Sequence, residues 1–129
     1  MNQKLWAAQI FGGLLFISVG IMHFIVPEDL PRLFSWMYDL SDTVHAITGT
    51  AEILGGAGLI LPAVTRIQPR LVPLAAIGLA AIMVAAVVFH IKRGEWVNVA
   101  TTALWAAIMA FIAYGRAVTH PIQPKTASA

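Results

Sequence analysis

The chain has 129 residues, of which 59% are hydrophobic and 11% are charged, with a formal net charge of +2 and no cysteine. Soluble domains are about 45–50% apolar and about 25% charged, so this composition excludes a soluble fold and indicates one small integral membrane domain. The absence of cysteine excludes thiol chemistry, Fe–S clusters and disulfides within the chain, and the absence of a basic cluster with interleaved aromatic residues argues against a nucleic-acid partner.

Four apolar segments predict an all-α, integral membrane four-helix bundle. They cover about residues 6–26, 44–61, 71–91 and 96–114. Each is near the ~20 residues that cross ~30 Å of hydrocarbon as an α-helix, which bonds every backbone polar group internally. The first segment is too long for a cleaved signal peptide, and no small-residue cleavage site follows it. Residues 1–116 are expected to form the membrane domain, and residues 117–129 a flexible tail.

The stretch between the first two segments, PEDLPRLFSWMYDLSD, predicts a short interfacial helix. Its apolar residues follow the spacing of one helical face, at Leu30, Leu33, Phe34, Met37 and Leu40. An irregular loop is the alternative interpretation.

The distribution of Lys and Arg favours cytoplasmic termini. With four spans, one side holds five basic residues and the other holds three, namely Arg32, Lys92 and Arg93. Cytoplasmic loops carry the excess of basic residues, so we expect a multi-pass protein of the cell inner (plasma) membrane with both termini inside.

Glu52 is the one acidic residue in the middle of a predicted span, within VHAITGTAEILGG. A charged, unpaired carboxylate at mid-bilayer costs at least ~2.5–3.5 kcal/mol, so Glu52 is expected to face the bundle interior and to be protonated at neutral pH. A hydrogen bond between helices is the structural interpretation. The functional one is a polar pocket with Glu52 at its floor, donating or relaying a proton.

Other polar residues are candidates for the walls of that pocket. Helical spacing places His45 and Thr48 on the face of Glu52, and the first, third and fourth helices offer Gln9, His23, His90, Asn98, Thr101 and Trp105. The three histidines fall within a turn of one membrane edge, where they would set access and orientation. Each residue also has a structural interpretation, as an interfacial, packing or back-bonded side chain.

Few other chemistries fit the sequence. No dinucleotide-binding, P-loop, H-E-x-x-H or C-x-x-C motif occurs, and no Ser–His–acid arrangement is legible. Three histidines from three helices could in principle bind a metal ion or haem. Sequence spacing cannot test this, because the ligands come from different helices, and no metal site is predicted.

Three segments together resemble the DoxX-like family of small four-helix membrane proteins. They are GLLFISVGIMHFIVPEDL, ITGTAEILGGAGLILP and PLAAIGLAAIMVAAVVFHIKRGE, which cover roughly residues 10 to 95. The first carries the family pattern H-F-x-x-P, the second carries G-x-x-E-x-x-G-x-x-G-L-x-x-P, and the third begins with proline and ends with a histidine followed by basic residues. A more distant resemblance connects the family with the receptor-assembly chaperone NACHO.

The resemblance implies two classes of function. The family name comes from a membrane subunit of thiosulfate:quinone oxidoreductase, which implies a membrane subunit of a redox complex that binds a quinone, or a similar small ligand, near Glu52. No covalently bound cofactor is expected, and the lack of cysteine argues against independent redox catalysis. The alternative is a non-catalytic accessory or assembly protein that acts through small-residue helix faces, and a third is a small transporter. Either a membrane-protein partner or a homo-oligomer is expected.

Overall fold

The structure is a computed structural model that describes residues 1–126. Its four long helices are α1 (Asn2–Met22), α2 (Asp42–Thr65), α3 (Leu71–Arg93) and α4 (Trp96–Tyr114). All four are long and apolar enough to cross a membrane, and the described residues form no β-strand. The all-α bundle predicted from composition is therefore confirmed.

Two short helices complete the fold. A 3₁₀ helix, Arg32–Asp39, lies between α1 and α2 and confirms the predicted short helix there. It is anchored by Met37, which is buried, and by Asn98 of α4, whose Nδ2 donates to the Leu33 carbonyl at 3.0 Å. A one-turn π helix, Gly115–Thr119, extends α4.

The helix bounds differ most from the apolar segments in α1 and α2. α1 begins four residues before the predicted 6–26 segment and also ends four residues before the end of that segment. It begins earlier because its first turn is helical although polar. α2 continues through Pro62 to Thr65 instead of stopping at Leu61. Proline removes one backbone donor, and membrane helices tolerate this loss where neighbouring groups take up the freed carbonyls. The carbonyl that loses its donor is that of Gly58, four residues before Pro62. The amide of Gln9 donates to the carbonyl of the next residue, Leu59, at 2.9 Å.

Glycines allow α1 and α2 to pack with their backbones in contact. A Cβ atom on Gly20 would lie 2.8 Å from the Gly49 carbonyl oxygen, and one on Gly13 would lie 2.9 Å from that of Gly56. Both distances are too short for a carbon and a backbone oxygen that cannot move aside. Gly13 and Gly20 of α1 are seven residues apart, as are Gly49 and Gly56 of α2, so each pair lies on one helix face. The two faces create the close helix crossing typical of small-residue interfaces in membranes.

Substituting Gly20 tests this crossing. Gly20→Ala is expected to lower the free energy of unfolding by about 1–3 kcal/mol, because the added methyl overpacks a backbone contact. Gly78→Ala is the matched control: nothing lies within 4 Å of its added Cβ, so the gain in helix propensity is expected to stabilise by about 0.5–1 kcal/mol. Thermal or denaturant unfolding in detergent measures both. Equal destabilisation of the two variants would contradict the backbone contact.

The apolar core lies between the four helices, with polar residues at its two ends. α1 packs along α2, α3 packs along α4, and α2 joins the two pairs, whereas α1 and α4 touch sparsely. Phe16, Leu59 and Met109 are among the buried residues at the centre. We call the end with His23, His45 and His90 the histidine end, and the end with Gln9 and Arg116 the arginine end.

The chain after α4 lies against the α2–α3 loop. The backbone N–H of Lys125 donates to the Arg66 carbonyl at 2.9 Å, and Arg66 Nε donates to the Gln123 carbonyl at 2.9 Å. Ile122 packs on the edge of the core. The predicted flexible tail, 117–129, thus begins in the π helix. Its flexibility stays a prediction, and residues 127–129 lie outside the described part of the chain.

Candidate functional site

A cavity of about 450 Å³ lies at the histidine end, between the sparsely packed α1 and α4. Its walls are mainly apolar and aromatic, with rings from Phe16, Phe34, Trp36, Phe89 and Trp105. Polar groups reach it from every helix: His23, Thr48, Glu52, His90, Asn98, Thr101 and Thr102. Apolar walls with a few convergent polar groups are typical of small-molecule sites.

Glu52 lies in the wall of this cavity and is only 3% exposed. It is ten residues into α2, roughly 15 Å along the helix. Its Oε2 lies 3.5 Å from His23 Nε2, which is long for a hydrogen bond. Among the described residues neither atom has a hydrogen-bond partner, although both are shielded from solvent. The site therefore has two buried polar atoms, side by side, whose hydrogen bonds are unmade.

His23 is held by His45, which is in turn held by the 3₁₀ helix. His45 Nε2 donates to the Met37 carbonyl at 2.9 Å, because a carbonyl only accepts. In neutral His45 the other nitrogen, Nδ1, then accepts from His23 Nδ1 at 2.8 Å. Neutral His23 consequently presents a bare Nε2 toward Glu52. A protonated Glu52 complements it as a donor, which is consistent with the absence of any Lys or Arg among the residues that line the cavity.

His90 lines the cavity from α3 and is fixed by Glu95. Its Nδ1 lies 2.6 Å from Glu95 Oε2, and the other carboxylate oxygen accepts from Arg93 Nε at 2.8 Å. Desolvation opposes the charge of Glu95, but the hydrogen bonds from His90 and Arg93 outweigh it and hold the pKa of Glu95 below its ordinary value. Glu95 is therefore an anion that accepts the Nδ1 proton of His90.

The local chain explains how Glu95 reaches His90. α3 ends at Gly94, whose φ of +70° is the left-handed conformation that favours glycine at a helix C-terminus. This turn brings the chain back over the helix end, where the Glu95 N–H donates to the His90 carbonyl at 3.0 Å. Neighbouring residues of the sequence H-I-K-R-G-E thus place imidazole and carboxylate in contact.

The three histidines meet at one end of the bundle, around Trp36. The Trp36 ring lies 6.1 Å from the His23 ring and 5.3 Å from the His90 ring, between centroids. His23 and His90 line the cavity, whereas His45 supports His23 from behind. Residues 1–126 contain no group of three His, Cys, Asp or Glu side chains arranged to hold a metal ion.

The candidates on α2 and α4 also reach the cavity. Thr48, Asn98, Thr101 and Trp105 are all in its walls. The Thr101 hydroxyl donates back to the Val97 carbonyl at 2.9 Å, and the Trp105 ring packs edge-on against Phe16. These residues shape the cavity, while the amide of Asn98 fixes the 3₁₀ helix that covers it.

Two of the candidates do not line the cavity: His45, which supports His23 from behind, and Gln9, which the structure places far from Glu52. Gln9 lies at the arginine end, fully buried, where its Oε1 accepts from Arg116 Nε. It also bonds Leu59, which follows Glu52 by seven residues, or roughly 10 Å along α2. That separation is too large for a hydrogen bond between Gln9 and Glu52.

Sequence reasoning missed three residues of importance. Arg116 stands in the sequence as one basic residue after the last span, yet it is 4% exposed. Trp36 and Glu95 are absent from the candidates that the sequence offered. The signal for Glu95 was present, since a glycine that ends a helix folds the next residue back on the last turn.

Comparison with known proteins agrees with the four-helix architecture. The model of the DoxX-like family matches residues 7–112, which include all four long helices except for short ends. Neither the search of curated proteins nor that of solved structures gave a match. Because the family match extends over most of the chain, this protein belongs to the DoxX-like family.

Proposed function

We propose that the protein is a membrane subunit of a redox complex in the cell inner membrane and that it binds a quinone-like ligand in the Glu52 cavity. The observation that carries this proposal is the pair of buried, unpartnered atoms, Glu52 Oε2 and His23 Nε2. Leaving such groups unpaired costs about 1–3 kcal/mol each, and a ligand oxygen that bonds both would recover that free energy.

The cavity walls favour an uncharged, largely apolar ligand. The cavity volume of about 450 Å³ lies within the range of small-molecule sites, roughly 300–1,000 Å³. No Lys or Arg lines it, so an anion would find no compensating charge. Phe34 and Val44 line the cavity and are more than one-third exposed, which leaves room for an apolar substituent to leave it.

The redox role rests on the family, and the lack of cysteine assigns the electron transfer to another subunit. A chain without thiols or a cofactor motif requires another subunit to supply or accept electrons. In this function Glu52 donates or relays the proton that accompanies a change at the ligand oxygen, and His23 accepts or orients it.

Filling the cavity tests the proposal. A short-chain alkyl hydroquinone is expected to bind the purified protein in lipid nanodiscs, measured by calorimetry and by the fluorescence of Trp36 and Trp105, which line the cavity. Ala86→Phe, on the cavity wall, is expected to weaken this binding by about tenfold or more, equivalent to about 1.4 kcal/mol. Ala81→Phe is the control, because Ala81 is on the same helix but exposed and outside the cavity. Saturable binding that survives in Ala86→Phe would contradict the site.

A second function is favoured by a separate surface. An apolar groove of about 550 Å³ runs between α2 and α3 and is floored by small residues, among them Ala51, Gly55, Gly58, Ala75 and Gly78. Small residues allow a further membrane helix to approach closely. This groove supports an accessory or assembly role through helix contacts. A stoichiometric membrane partner that dissociates in Gly78→Leu, with hydroquinone binding absent from the wild type, would favour this function over the first.

A further inference from the structure

The cavity has polar groups on two walls. One wall, from α1 and α2, carries the unpartnered pair of His23 and Glu52. The other, from α3, carries His90. The Trp36 ring packs near both histidines, edge-on to His90, and among the described residues His90 bonds neither His23 nor Glu52, so the two walls are separate hydrogen-bonding sites.

The second site has a defined hydrogen-bonding character. His90 is buried, and its Nδ1–H donates a hydrogen bond to the anionic Glu95 over 2.6 Å. Within residues 1–126 the remaining nitrogen, Nε2, makes no hydrogen bond. In neutral imidazole one nitrogen donates and the other accepts, so this nitrogen is an acceptor.

Glu95 is itself held from two sides, which limits the rotation of His90. Arg93 Nε donates to Glu95 at 2.8 Å, and Arg93 Nη2 donates to Asp39 of the 3₁₀ helix at 2.7 Å. The backbone turn at Gly94 adds the contact between the Glu95 N–H and the His90 carbonyl. A carboxylate behind a histidine fixes both the tautomer and the direction of the ring, as it does behind many metal-bound and catalytic histidines.

We propose that the cavity recognises a ring with hydroxyl groups on two opposite edges, one bonded by His90 and the other by His23 and Glu52, and that Glu95 is the positioning residue for His90. This inference rests on the proposed function, since it requires that a ligand occupies the cavity. It names the reduced, dihydroxy form as the better ligand, because an acceptor nitrogen bonds a hydroxyl and repels the lone pairs of a carbonyl.

A pair of probes separates two-site recognition from simple occupancy. The first is an alkyl hydroquinone, with hydroxyls on opposite edges of the ring, and the second is the 4-alkylphenol with the same chain and a single hydroxyl. We expect the wild-type protein in nanodiscs to bind the hydroquinone about tenfold more tightly than the phenol, for one additional hydrogen bond to a buried group. His90→Phe is expected to remove that preference, so that the two probes bind with equal affinity.

Variants of Glu95 test the positioning role without removing the imidazole. Glu95→Ala is expected to reduce the preference for hydroquinone by about fivefold, because His90 loses its fixed tautomer, and Glu95→Gln is expected to restore most of it through the amide oxygen. The ¹⁵N spectrum of the histidine ring reports the tautomer directly: Nδ1–H in the wild type and Glu95→Gln, and a mixture in Glu95→Ala.

The outcomes distinguish this inference from the function beneath it. If neither probe binds the wild-type protein, the proposed function fails. If both probes bind with equal affinity, or if His90→Phe keeps the preference for hydroquinone, the cavity stands as a ligand site but recognition at two walls is wrong. A preference that survives in Glu95→Ala with an unchanged ring tautomer overturns the role of Glu95.

Discussion

Replacing Glu52 with leucine is expected to stabilise the bundle and to weaken hydroquinone binding by about tenfold or more. Glu52 is 3% exposed, and its Oε2 has no hydrogen-bond partner among the described residues. Removing a buried, unsatisfied polar group in favour of an apolar one of similar size recovers roughly 1–3 kcal/mol. The same substitution removes the donor that a ligand oxygen would use, so affinity should fall by about tenfold or more. A purely structural glutamate would instead lose stability and function together.

Glu52→Gln is the matched variant for the proton. Its amide can donate to a ligand oxygen as a protonated carboxyl does, so folding and hydroquinone affinity are expected to stay within about threefold of the wild type. It cannot release a proton, however, and any proton transfer coupled to ligand turnover should be lost. Thermal unfolding, calorimetry and infrared spectroscopy measure the three properties. The carboxylic acid band of the wild type at pH 7 should be absent from Glu52→Gln.

Two results would contradict this account of Glu52. An ionised carboxylate band at pH 7 would show that Glu52 is not a protonated acid but forms an ion pair with His23, which lies 3.5 Å away. A Glu52→Leu variant that unfolds at a lower temperature and loses affinity in proportion would return Glu52 to a structural role between helices.

Arg116→Ala is expected to have the largest effect on stability of any single substitution at the arginine end. The guanidinium is buried and donates to Gln9, to Asn2 Oδ1 at 2.7 Å and to the His120 carbonyl at 3.1 Å. It also lies 5.0 Å from the centre of the Trp6 ring. Its removal leaves three acceptors without their donor and a cavity beside the indole, while it relieves the burial of Nη2, which has no partner among the described residues; together these should cost about 2–4 kcal/mol.

Arg70→Ala is the control for this prediction. Arg70 is exposed, and its one side-chain hydrogen bond, to Gln68 Oε1, is 3.4 Å long, so the expected change is within about 0.5 kcal/mol. Unfolding of both variants in the same detergent gives the comparison. If Arg116→Ala unfolds at the wild-type temperature, the hydrogen bonds that join α1 to the end of α4 contribute nothing to stability.

Much of the fold follows from the sequence because lipid imposes a simple rule. Long apolar segments must be helices, and the four spans were predicted on that basis. Helical spacing also placed His45, Thr48 and Glu52 on one face of α2; Thr48 and Glu52 line the cavity, and His45 lies behind His23. Periodicity specifies a face but not a depth, which is why Gln9 was grouped with Glu52. Fourteen residues separate Gln9 from His23, or roughly 21 Å of helix, and that distance alone excludes a shared site.

The contacts between helices were beyond sequence reasoning for a different reason. The contact of His90 with Glu95 is the exception, because the glycine that ends α3 signals the left-handed turn that brings the two side chains within 2.6 Å. The pairing of His23 with His45 depends on how closely α1 approaches α2, which is decided by the glycines between them. Such contacts depend on how two helices are placed relative to each other. The sequence of each helix alone does not specify that placement.

If Glu52 takes up a proton as proposed, the difference between the two ends of the bundle makes that protonation sensitive to the membrane voltage. Between Glu52 and Gln9 the interior is closed by Phe16, Leu59 and Met109, all at most 2% exposed. A proton that binds Glu52 therefore arrives from the histidine end and crosses only part of the membrane. If that part is half of the electric field, each 100 mV of membrane potential changes the free energy of protonation by about 1.2 kcal/mol, or roughly sevenfold in occupancy. The affinity for a ligand that bonds the protonated acid would then vary with the energy state of the cell.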